Sequence, residues 1–528
     1  MRGLMVAGTT SDAGKSVVTT GICRWLAREG VSVAPFKAQN MSNNSVVTRD
    51  GAEIGRAQWI QALAARAEPE AAMNPILLKP GSDLRSHVVV MGRPYGEIDA
   101  MSFGSARTAH AEAAFAALAD LAERYDVVVC EGAGSPAEIN LREHDFVNMG
   151  LARRADLPVV VVGDIDRGGV FAAFHGTVAL LEAADQALVA GFVVNKFRGN
   201  TGLLSPGLRM IAGTTGRPVL GVLPWLPGLW LDAEDSLDVM GRADTTSPEP
   251  GDGILGVAVV RLPRISNFTD VDPLAAEPGV AVRFTASPAD VAGADLVVLP
   301  GSRATVADLA WLRSSGLADA ILARARAGRP TLGICGGFQM LAREIDDDVE
   351  SGAGTVPGLG LLPARVRFAA GKVLERPVGT AYGVPVTTAY AIHHGRVAVD
   401  EGAETFLDGC RAGAVWGTSW HGVLEEDQLR RAFLREVASL AGADGFEVAA
   451  GTRFAAQREE RIERLADAVV RHLDTGVLRR LVDLGAPAGL PFVPPGAPTR
   501  DPPPAASLTS STSRSRPGSP GPGCGRPG

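Results

Sequence analysis

Short apolar runs alternate with helix-like segments through the first half of the chain. Strands with glycine or polar residues at their ends are predicted at residues 3–8, 31–36, 125–130, 157–163 and 190–195. Apolar residues recur at helical spacing over residues 17–30, and a second helix is predicted at residues 53–67. Four to six parallel strands alternating with helices form a doubly wound sheet, so this pattern predicts an α/β domain.

The same alternation returns in the second half of the chain. Further strands are predicted at residues 254–260, 296–301, 331–335, 390–399 and 414–421. A helix is predicted from Glu426 to about Leu440, and one or two charged amphipathic helices are predicted at residues 455–482. These elements predict a second α/β unit.

Composition marks the boundaries between the predicted parts. Residues 1–240 form the first α/β domain and residues 254–440 the second, joined by a Pro/Gly/Ser/Asp-rich linker at residues 241–253. Residues 441–485 form a C-terminal helical segment. Proline, glycine and serine dominate residues 486–528, and because such a segment cannot bury enough apolar surface to fold, we expect a disordered tail.

The segment 331-TLGICGGFQML-341 combines a short apolar strand, a cysteine and the start of a helix. A tight turn between strand and helix exposes a nucleophile, lets backbone N–H groups face the reacting atom, and favours a thiolate at the helix N-terminus. The alternative is that Cys335 is a small buried hydrophobic residue. His421 ends another strand-like run and is a candidate partner, because strand ends far apart in sequence can meet in space. The segment therefore predicts acyl transfer through Cys335.

Residues 8–16, GTTSDAGKS, join the first strand to the first helix. In a phosphate-binding loop, backbone N–H groups surround the phosphates, the Lys15 ammonium reaches the β- and γ-phosphates, and the Ser16 hydroxyl binds Mg²⁺. Five residues separate the two glycines, one more than in the usual P-loop, as in the dethiobiotin-synthetase-like branch of P-loop enzymes. An ordinary Gly/Ser turn is the alternative, but the strand, glycines, Lys-Ser pair and helix together favour a nucleotide site formed by Thr10, Gly14, Lys15 and Ser16.

Acidic residues follow buried strands of the first predicted sheet. Glu131 follows the strand at residues 125–130, and Asp164 follows the strand at residues 157–163. In a P-loop fold, an acidic residue at the end of an apolar strand is the usual partner of Mg²⁺, whereas a surface salt bridge is the alternative for any one of them. We therefore expect Glu131 to bind Mg²⁺ together with Ser16.

Composition narrows the class of function. The chain has 528 residues, of which 46% are hydrophobic, enough for two or three domains with buried cores. The net charge of −8 argues against a nucleic-acid binder. The five cysteines are scattered without a CxxC pair, which fits a reducing cytoplasm and disfavours structural zinc. No secretory signal or membrane-length apolar run is visible, so we expect a soluble cytoplasmic protein without a membrane partner.

Long motifs occur in a fixed order along the chain, namely QNMSNN, EGAGSPAEINLR, GDIDRGGVF, VNKFRG, RLPRISNFTDVDPL, LPGSRATVADLAWLR and LGICGGFQML. With the long P-loop, they resemble the cobyric acid synthase family, glutamine-hydrolysing ligases of cobalamin biosynthesis, from residue 1 to about residue 440. The resemblance implies a dethiobiotin-synthetase-like P-loop domain with a parallel sheet, followed by a class I glutamine amidotransferase-like α/β domain.

The resemblance also implies an activity. It implies ATP- and glutamine-dependent amidation of the b, d, e and g carboxylates of adenosylcobyrinic acid a,c-diamide, giving adenosylcobyric acid. Cys335 would be the glutaminase nucleophile and His421 its general base. Gly14, Lys15 and Ser16 would belong to the ATP site, and Glu131 would be a partner of Mg²⁺. Because ammonia is protonated in water, we expect a shielded path between the two sites.

Two other functions are left open by these motifs. One is cobyrinic acid a,c-diamide synthase, which shares the two-domain plan, and the other is a P-loop ATPase whose amidotransferase-like domain only binds. Class I amidotransferases usually place a glutamate two positions after the catalytic histidine, but this chain has Val423 there, and Glu425 is the candidate replacement. The acidic residue usual before His393 is also missing, so we assign no role to His393 or His394. The oligomeric state is not indicated.

Overall fold

The computed structural model describes residues 1–81, 85–99, 103–229 and 253–495. The predicted linker at residues 241–253 lies outside the described residues apart from Gly253, and so does the predicted tail beyond residue 495. The described residues form two α/β domains, each built on a largely parallel sheet. No helix among them combines the length and apolar character needed to cross a membrane.

A six-stranded parallel sheet forms the centre of the first domain. Its strands are, in spatial order, Val219–Pro224, Val189–Phe197, Val159–Asp164, Gly3–Gly8, Val127–Glu131 and Val33–Phe36. The strands in the middle of the sheet are buried along their length, as expected for parallel strands covered on both faces. The prediction of a doubly wound parallel sheet is confirmed.

Both faces of this sheet are covered by helices. Neighbouring residues of the first strand belong to different hydrophobic clusters, Met5 to one and Val6 to the other, because successive side chains of a strand point to opposite faces. The α-helices of the domain are Lys15–Arg28, Arg56–Ala64, Phe103–Arg124, Met149–Ala155, Val170–Ala179, Ala183–Gln186 and Ser205–Thr215. Short 3-10 helices are Ser11–Ala13, Ala71–Met73, Arg142–His144 and Thr201–Leu204.

The residues between the strand Val33–Phe36 and the long helix Phe103–Arg124 form two smaller sheets. The larger one has the strands Gln39–Met41, Ile76–Pro80, Arg85–Val90 and Arg93–Asp99, in that order. The smaller one pairs Ser45–Val47 with Glu53–Gly55 in antiparallel orientation. The helix predicted to begin at residue 53 therefore begins at Arg56, after a short strand.

A seven-stranded sheet forms the centre of the second domain. Its strands are, in spatial order, Val280–Thr285, Leu255–Val260, Leu296–Leu299, Thr331–Ile334, Val415–Thr418, Gly409–Ala412 and Glu404–Phe406. The first five are parallel and the last two are antiparallel. The predicted strand at residues 390–399 forms as Ala391–Val399, but it lies in a separate sheet, as the partner of Ala364–Glu375.

The separate sheet also contains the strands Glu344–Asp347 and Gly354–Pro357. The remaining strands form two antiparallel pairs, Ile265–Ser266 with Gly301–Ser302 and Gly379–Ala381 with Val384–Val386. The helices are Asp272–Ala275, Pro288–Gly293, Thr305–Ser314, Leu317–Arg326, Gly336–Leu341 and Asp427–Ala441, with 3-10 turns at Phe268–Val271 and Val423–Glu425. The predicted helix from Glu426 thus begins one residue later, at Asp427.

The C-terminal helices return to the first domain. Phe454–His472 and Thr475–Leu484 contribute apolar residues to one of the hydrophobic clusters of the first sheet. The guanidinium of Arg24, which is buried, donates to Glu459 and, at 2.6 Å, to Glu463. The predicted C-terminal helical segment is therefore helical, and it forms part of the core of the domain that begins the chain.

The chain stays attached to the first domain beyond the point where we expected the disordered tail to begin. Val493 is buried, and its backbone exchanges hydrogen bonds of 2.8 and 3.0 Å with the side chain of Gln186. Arg217 donates to the carbonyl oxygen of Pro491. The described part of the expected tail, residues 486–495, is therefore held on the first domain, whose side chains bind the backbones of Pro491 and Val493.

The two domains meet through buried polar groups. The backbone N–H of Ser45 donates to Asn267 Oδ1 at 3.0 Å, and Thr269 donates to Asn44 Oδ1 at 3.1 Å. Glu425 binds Arg56 at 2.5 Å and therefore ties the second domain to a helix of the first. Because such groups are costly to bury unpaired, these contacts specify one docked arrangement.

Gly21 allows the first helix to approach the C-terminal helix Phe454–His472. A Cβ atom added to Gly21 would lie 2.8 Å from Val469 Cγ2 and 3.0 Å from the carbonyl oxygen of Leu465. We expect Gly21→Val to destabilise the protein by about 1–3 kcal/mol through overpacking, seen as a lower midpoint of thermal unfolding. Gly213→Ala is the control, because nothing lies within 4 Å of the added atom, and it should not lower the midpoint. Equal midpoints for wild type and Gly21→Val would contradict this packing.

Candidate active sites

Cys335 occupies a sharp turn between the strand Thr331–Ile334 and the helix Gly336–Leu341. Its backbone has φ 51° and ψ −111°, a conformation that L-residues rarely adopt. The Cys335 N–H donates to the carbonyl oxygen of Thr418 at 2.8 Å, which anchors the turn to the neighbouring strand. This is the geometry that presents a nucleophile at the carboxyl edge of a parallel sheet, as we expected.

Backbone N–H groups lie close to the nucleophile. A Cβ atom added to Gly336 would lie 2.8 Å from the backbone nitrogen of Ser302, so the turn at Gly301–Ser302 passes directly beside the residue that follows Cys335. N–H groups from these two segments are suited to stabilise negative charge that develops on an acyl oxygen. An oxyanion role for this turn stays a prediction.

His421 lies beside Cys335 and is oriented by an aspartate. Its Nδ1 lies 2.6 Å from Asp270 Oδ2, and the second oxygen of Asp270 accepts the N–H of Gly422 at 2.8 Å. The ring also stacks on Tyr390, with 5.3 Å between ring centroids, and the two backbones exchange hydrogen bonds of 2.8 and 3.1 Å. Cys335, His421 and Asp270 therefore have the arrangement that a nucleophile, a base and an orienting acid require for acyl transfer, and the catalytic roles of Cys335 and His421 stay predictions.

Glu425 does not orient the histidine. Its carboxylate binds Arg56 at 2.5 Å and Arg458 at 2.9 Å, and it therefore joins the domains. The candidacy of Glu425 is thus wrong, and Asp270 holds the position next to His421. No spacing rule pointed to Asp270, because it precedes Cys335 in sequence; the RISNFTD motif was the available signal.

The charge around His421 favours its protonated form. Burial alone would lower the pKa of His421, but the charges of Asp270 and Cys335 and their hydrogen bonds outweigh it and raise the pKa to about 10. An imidazolium next to the sulfur stabilises a thiolate. The positive charge of His421 is therefore present at neutral pH and is lost as the pH rises through its raised pKa.

Two more histidines, His393 and His394, line the cavity in front of Cys335, although no role was predicted for them from the sequence. His393 Nδ1 lies 2.7 Å from the Gly395 carbonyl oxygen, and His394 Nδ1 lies 3.0 Å from that of Ala369. Burial is the main cause that lowers the pKa of His393, to about 4, and that lowers the pKa of His394. Both are therefore neutral at pH 7 and present polar, uncharged walls.

The P-loop has the conformation that its motif predicts. Gly14 has φ 93° and separates the 3-10 turn Ser11–Ala13 from the helix Lys15–Arg28. The ammonium of Lys15 folds back over the loop and donates to the carbonyl oxygens of Thr10 and Ser11 at 2.9 Å. The four predicted nucleotide contacts thus lie together, around a helix N-terminus suited to phosphate.

Glu131 meets the P-loop serine, as we predicted. Its Oε1 accepts the Ser16 hydroxyl at 2.8 Å and lies 3.0 Å from the ammonium of the buried Lys37, while Oε2 accepts from Gln61. Hydroxyl and carboxylate oxygens are the donors that Mg²⁺ prefers when phosphates and water complete its shell. The described residues contain no cluster of three or more His, Cys, Asp or Glu side chains placed to hold a metal. Ser16 and Glu131 supply two oxygen ligands, which fit a Mg²⁺ ion whose other ligands are phosphate and water. Lys37 lies in the polar loop that follows the strand Val33–Phe36, and its contact with Glu131 was not predicted.

The neighbouring strand ends brace the P-loop. Asn195 donates to the Ala13 carbonyl oxygen at 3.0 Å, and Lys196 donates to that of Asp12 at 2.7 Å. Lys196 also binds Asp164 at 2.9 Å. Asp164 therefore forms a salt bridge, which was the alternative to a role in binding Mg²⁺. Its partner Lys196 also binds the backbone of the P-loop.

One helix touches both sites. At one end of Arg56–Ala64, Arg56 binds Glu425, which lies four residues after His421 in sequence. Further along the same helix, Gln61 donates to Glu131. The helix Arg56–Ala64 therefore contacts Glu131 beside the P-loop at one position and the 3-10 turn after His421 at another.

Comparison with known proteins covers both domains. Residues 4–238 match the CobQ/CobB/MinD/ParA nucleotide binding domain, and residues 256–429 match the CobB/CobQ-like glutamine amidotransferase domain. The cobyric acid synthase of Streptomyces avermitilis is 63% identical over 501 residues, which cover 94% of this chain and 99% of that protein. The cobyric acid synthases of Streptomyces coelicolor and Mycolicibacterium gilvum are 62% and 60% identical, over 94% of this chain and 99% and 100% of theirs.

Asp270 supplies the charge that keeps His421 protonated, so its removal should change the reactivity of Cys335. In Asp270→Asn the pKa of His421 falls, the thiolate loses its cationic partner, and alkylation of Cys335 by iodoacetamide at pH 7 should slow about tenfold. At high pH the rates should converge, because the thiol then ionises without help. Peptide-level mass spectrometry as a function of pH measures this, with Asp290→Asn as the control. Identical pH profiles for Asp270→Asn and wild type would contradict the role of Asp270.

Proposed function

This chain belongs to the cobyric acid synthase family, and on that premise we propose that it amidates the b, d, e and g carboxylates of adenosylcobyrinic acid a,c-diamide with ATP and glutamine. The chain is a glutamine-hydrolysing ligase of cobalamin biosynthesis. The relatives of high identity are cobyric acid synthases, which favours this function over a,c-diamide synthase. The observation that carries the mechanism is the Cys335, His421 and Asp270 cluster in a chain that also contains a P-loop.

We assign the release of ammonia to the second domain. The sulfur of Cys335 attacks the carboxamide carbon of glutamine, and backbone N–H groups near Gly336 stabilise the oxyanion. His421 holds the thiol proton and returns it to the departing nitrogen, so that ammonia leaves as the C–N bond breaks. Water then hydrolyses the thioester to glutamate. Asp270 keeps the imidazole oriented and charged during these steps.

We assign activation of the corrin carboxylates to the first domain. The N-terminus of the helix Lys15–Arg28 and the P-loop N–H groups hold the phosphates of ATP, and Lys15 leaves its resting carbonyl partners to bind them. When bound through Ser16 and Glu131, Mg²⁺ supplies positive charge that offsets the charge of the phosphates. The ammonium of Lys37 adds a second cation beside Glu131. A corrin carboxylate oxygen attacks the γ-phosphorus of ATP and ADP leaves, which gives an acyl phosphate. Ammonia then attacks the acyl carbon, and inorganic phosphate leaves as the amide forms.

The two half-reactions take place on either side of the domain interface. Ammonia that leaves Cys335 does not need to cross bulk water if it passes along this interface, where Ser45, Asn44 and Asn267 are buried. Protonation to ammonium would remove its nucleophilic lone pair, so a shielded route serves the chemistry. The buried interface supports the shielded path that we propose.

A binding-only role for the second domain is the contrasting hypothesis. It does not account for an oriented Asp270–His421 pair next to a cysteine on a strained turn, since binding alone requires neither the pair nor the strain. Glutamine hydrolysis by the purified chain would separate the two hypotheses directly.

Cys335→Ala tests the division between the two domains. We expect it to abolish glutamine-dependent amidation of adenosylcobyrinic acid a,c-diamide and to keep ammonia-dependent amidation, because only the thiol nucleophile is removed. Product mass and regiochemistry measure both reactions. Cys410→Ala is the matched control, since Cys410 is a buried thiol on the strand Gly409–Ala412 of the same sheet and does not line the cavity. Continued use of glutamine by Cys335→Ala would refute the assignment. If wild type left the a,c-diamide unchanged and instead amidated positions a and c of cobyrinic acid, the chain would be the alternative synthase.

Lys15→Met tests the proposed ATP site of the first domain. We expect amidation with either glutamine or ammonia to fall by about 100-fold or more. The reason is that the phosphates of ATP lose the positive charge of Lys15, which stabilises the negative charge that develops during phosphoryl transfer. Alkylation of Cys335 should be unchanged, since Lys15 does not line its cavity. Substitution of the exposed Arg209 by Met is the control for loss of a positive charge. Full ammonia-dependent activity in Lys15→Met would contradict a nucleotide role for this loop.

A further inference from the structure

The cavity in front of Cys335 is built by both domains. Cys335 and His421 line it together with Gln339, which the amidotransferase domain also supplies. Lys79 lines the same cavity, although it belongs to the strand Ile76–Pro80 of the first domain. The buried side chain of Lys79 therefore reaches the glutaminase centre across the domain interface.

The charged groups that line this cavity outside the Cys335, His421 and Asp270 cluster, here called the cationic wall, carry more positive than negative charge. Apart from Cys335 and the imidazolium of His421, which interact with each other and with Asp270, the charged side chains that line the cavity are Lys79, Arg303, Lys372 and Glu350. Glu350 binds Arg303 at 2.5 Å. Behind the wall, Glu53 binds Lys79 at 2.6 Å and Lys372 at 2.5 Å. Three cations thus share two carboxylates, and a buried surplus of positive charge is stabilised by a bound anion.

Lys79 retains a donor for that anion. Its ammonium donates to Glu53 Oε1 at 2.6 Å and to Ser45 Oγ at 2.8 Å, and an ammonium group has three N–H bonds. Among the described residues these are its acceptors, so one N–H is left for the cavity. Burial lowers the pKa of Lys79 and Glu53 opposes the shift, which gives a pKa of about 8, so the group is charged at neutral pH.

Resting on the glutaminase function proposed above, we propose that Lys79 binds the α-carboxylate of glutamine, so that the glutamine pocket is complete only when the first domain is docked. Glutamine carries an α-carboxylate and an α-ammonium beside the carboxamide that must reach Cys335. The cationic wall matches the first group, and the carboxylate of Glu350 matches the second. The domain that consumes ammonia thus supplies part of the site that produces it.

Steady-state glutaminase kinetics of the full chain test this. The substrates are L-glutamine and its α-carboxamide derivative, which lacks the negative charge. We expect wild type to prefer L-glutamine in kcat/KM by about 10- to 100-fold, the worth of a charged hydrogen bond. Lys79→Met should lose this preference through a higher KM for L-glutamine, with kcat and ammonia-dependent amidation retained. Arg56→Met, which removes an interface cation outside the cavity, should keep the preference.

Several results would overturn the proposal. One is that wild type shows no preference between the two compounds. This result does not depend on whether any variant folds. Another is a preference that persists in Lys79→Met. Equal loss of glutamine-dependent and ammonia-dependent amidation in Lys79→Met would assign Lys79 a structural role instead. Failure of wild type to hydrolyse either compound would refute the glutaminase function as well, whereas the other outcomes refute only the role of Lys79.

Discussion

One buried carboxylate, Glu53, binds lysines from both domains. Glu53 is fully buried, and its oxygens bind Lys79 from its own domain and Lys372 from the other. Burial opposes the ionised form, but the two lysines outweigh it and hold the pKa of Glu53 below its ordinary value. Breaking such a buried ion pair costs about 3–5 kcal/mol. Because Lys79 also lines the Cys335 cavity, the contact that docks the domains shapes the glutaminase centre as well.

Both sites have a local arrangement suited to negative charge. Cys335 and the P-loop each lie just after a parallel strand and at the start of a helix, where the helix dipole favours negative charge. The imidazolium of His421 lies next to the sulfur of Cys335, and the ammonium groups of Lys15 and Lys37 lie at the P-loop and at Glu131. Each site therefore places cations where the proposed chemistry requires an anion to be stabilised.

The elements that connect these sites belong to the first domain. The helix Arg56–Ala64 contacts Glu131 through Gln61 and contacts Glu425 through Arg56. Arg458, from a helix near the C-terminus, also binds Glu425. The end of the chain thus returns to the interface and helps to hold the 3-10 turn that follows His421, which makes the geometry of one site depend on the folding of the other domain.

Structural features built from residues that are neighbours in the chain could be predicted from the sequence alone. Apolar periodicity predicted the parallel sheets, and the GTTSDAGKS and GICGG segments predicted the nucleotide loop and the nucleophile turn, because strand, turn and helix are neighbours in sequence. Only the tertiary structure decided that Asp270, rather than Glu425, orients His421, and that Lys79 reaches the cavity of the other domain. It also placed residues 454–495 on the first domain. These contacts join residues far apart in the chain, and they depend on how sheets stack and domains dock, which local spacing does not encode.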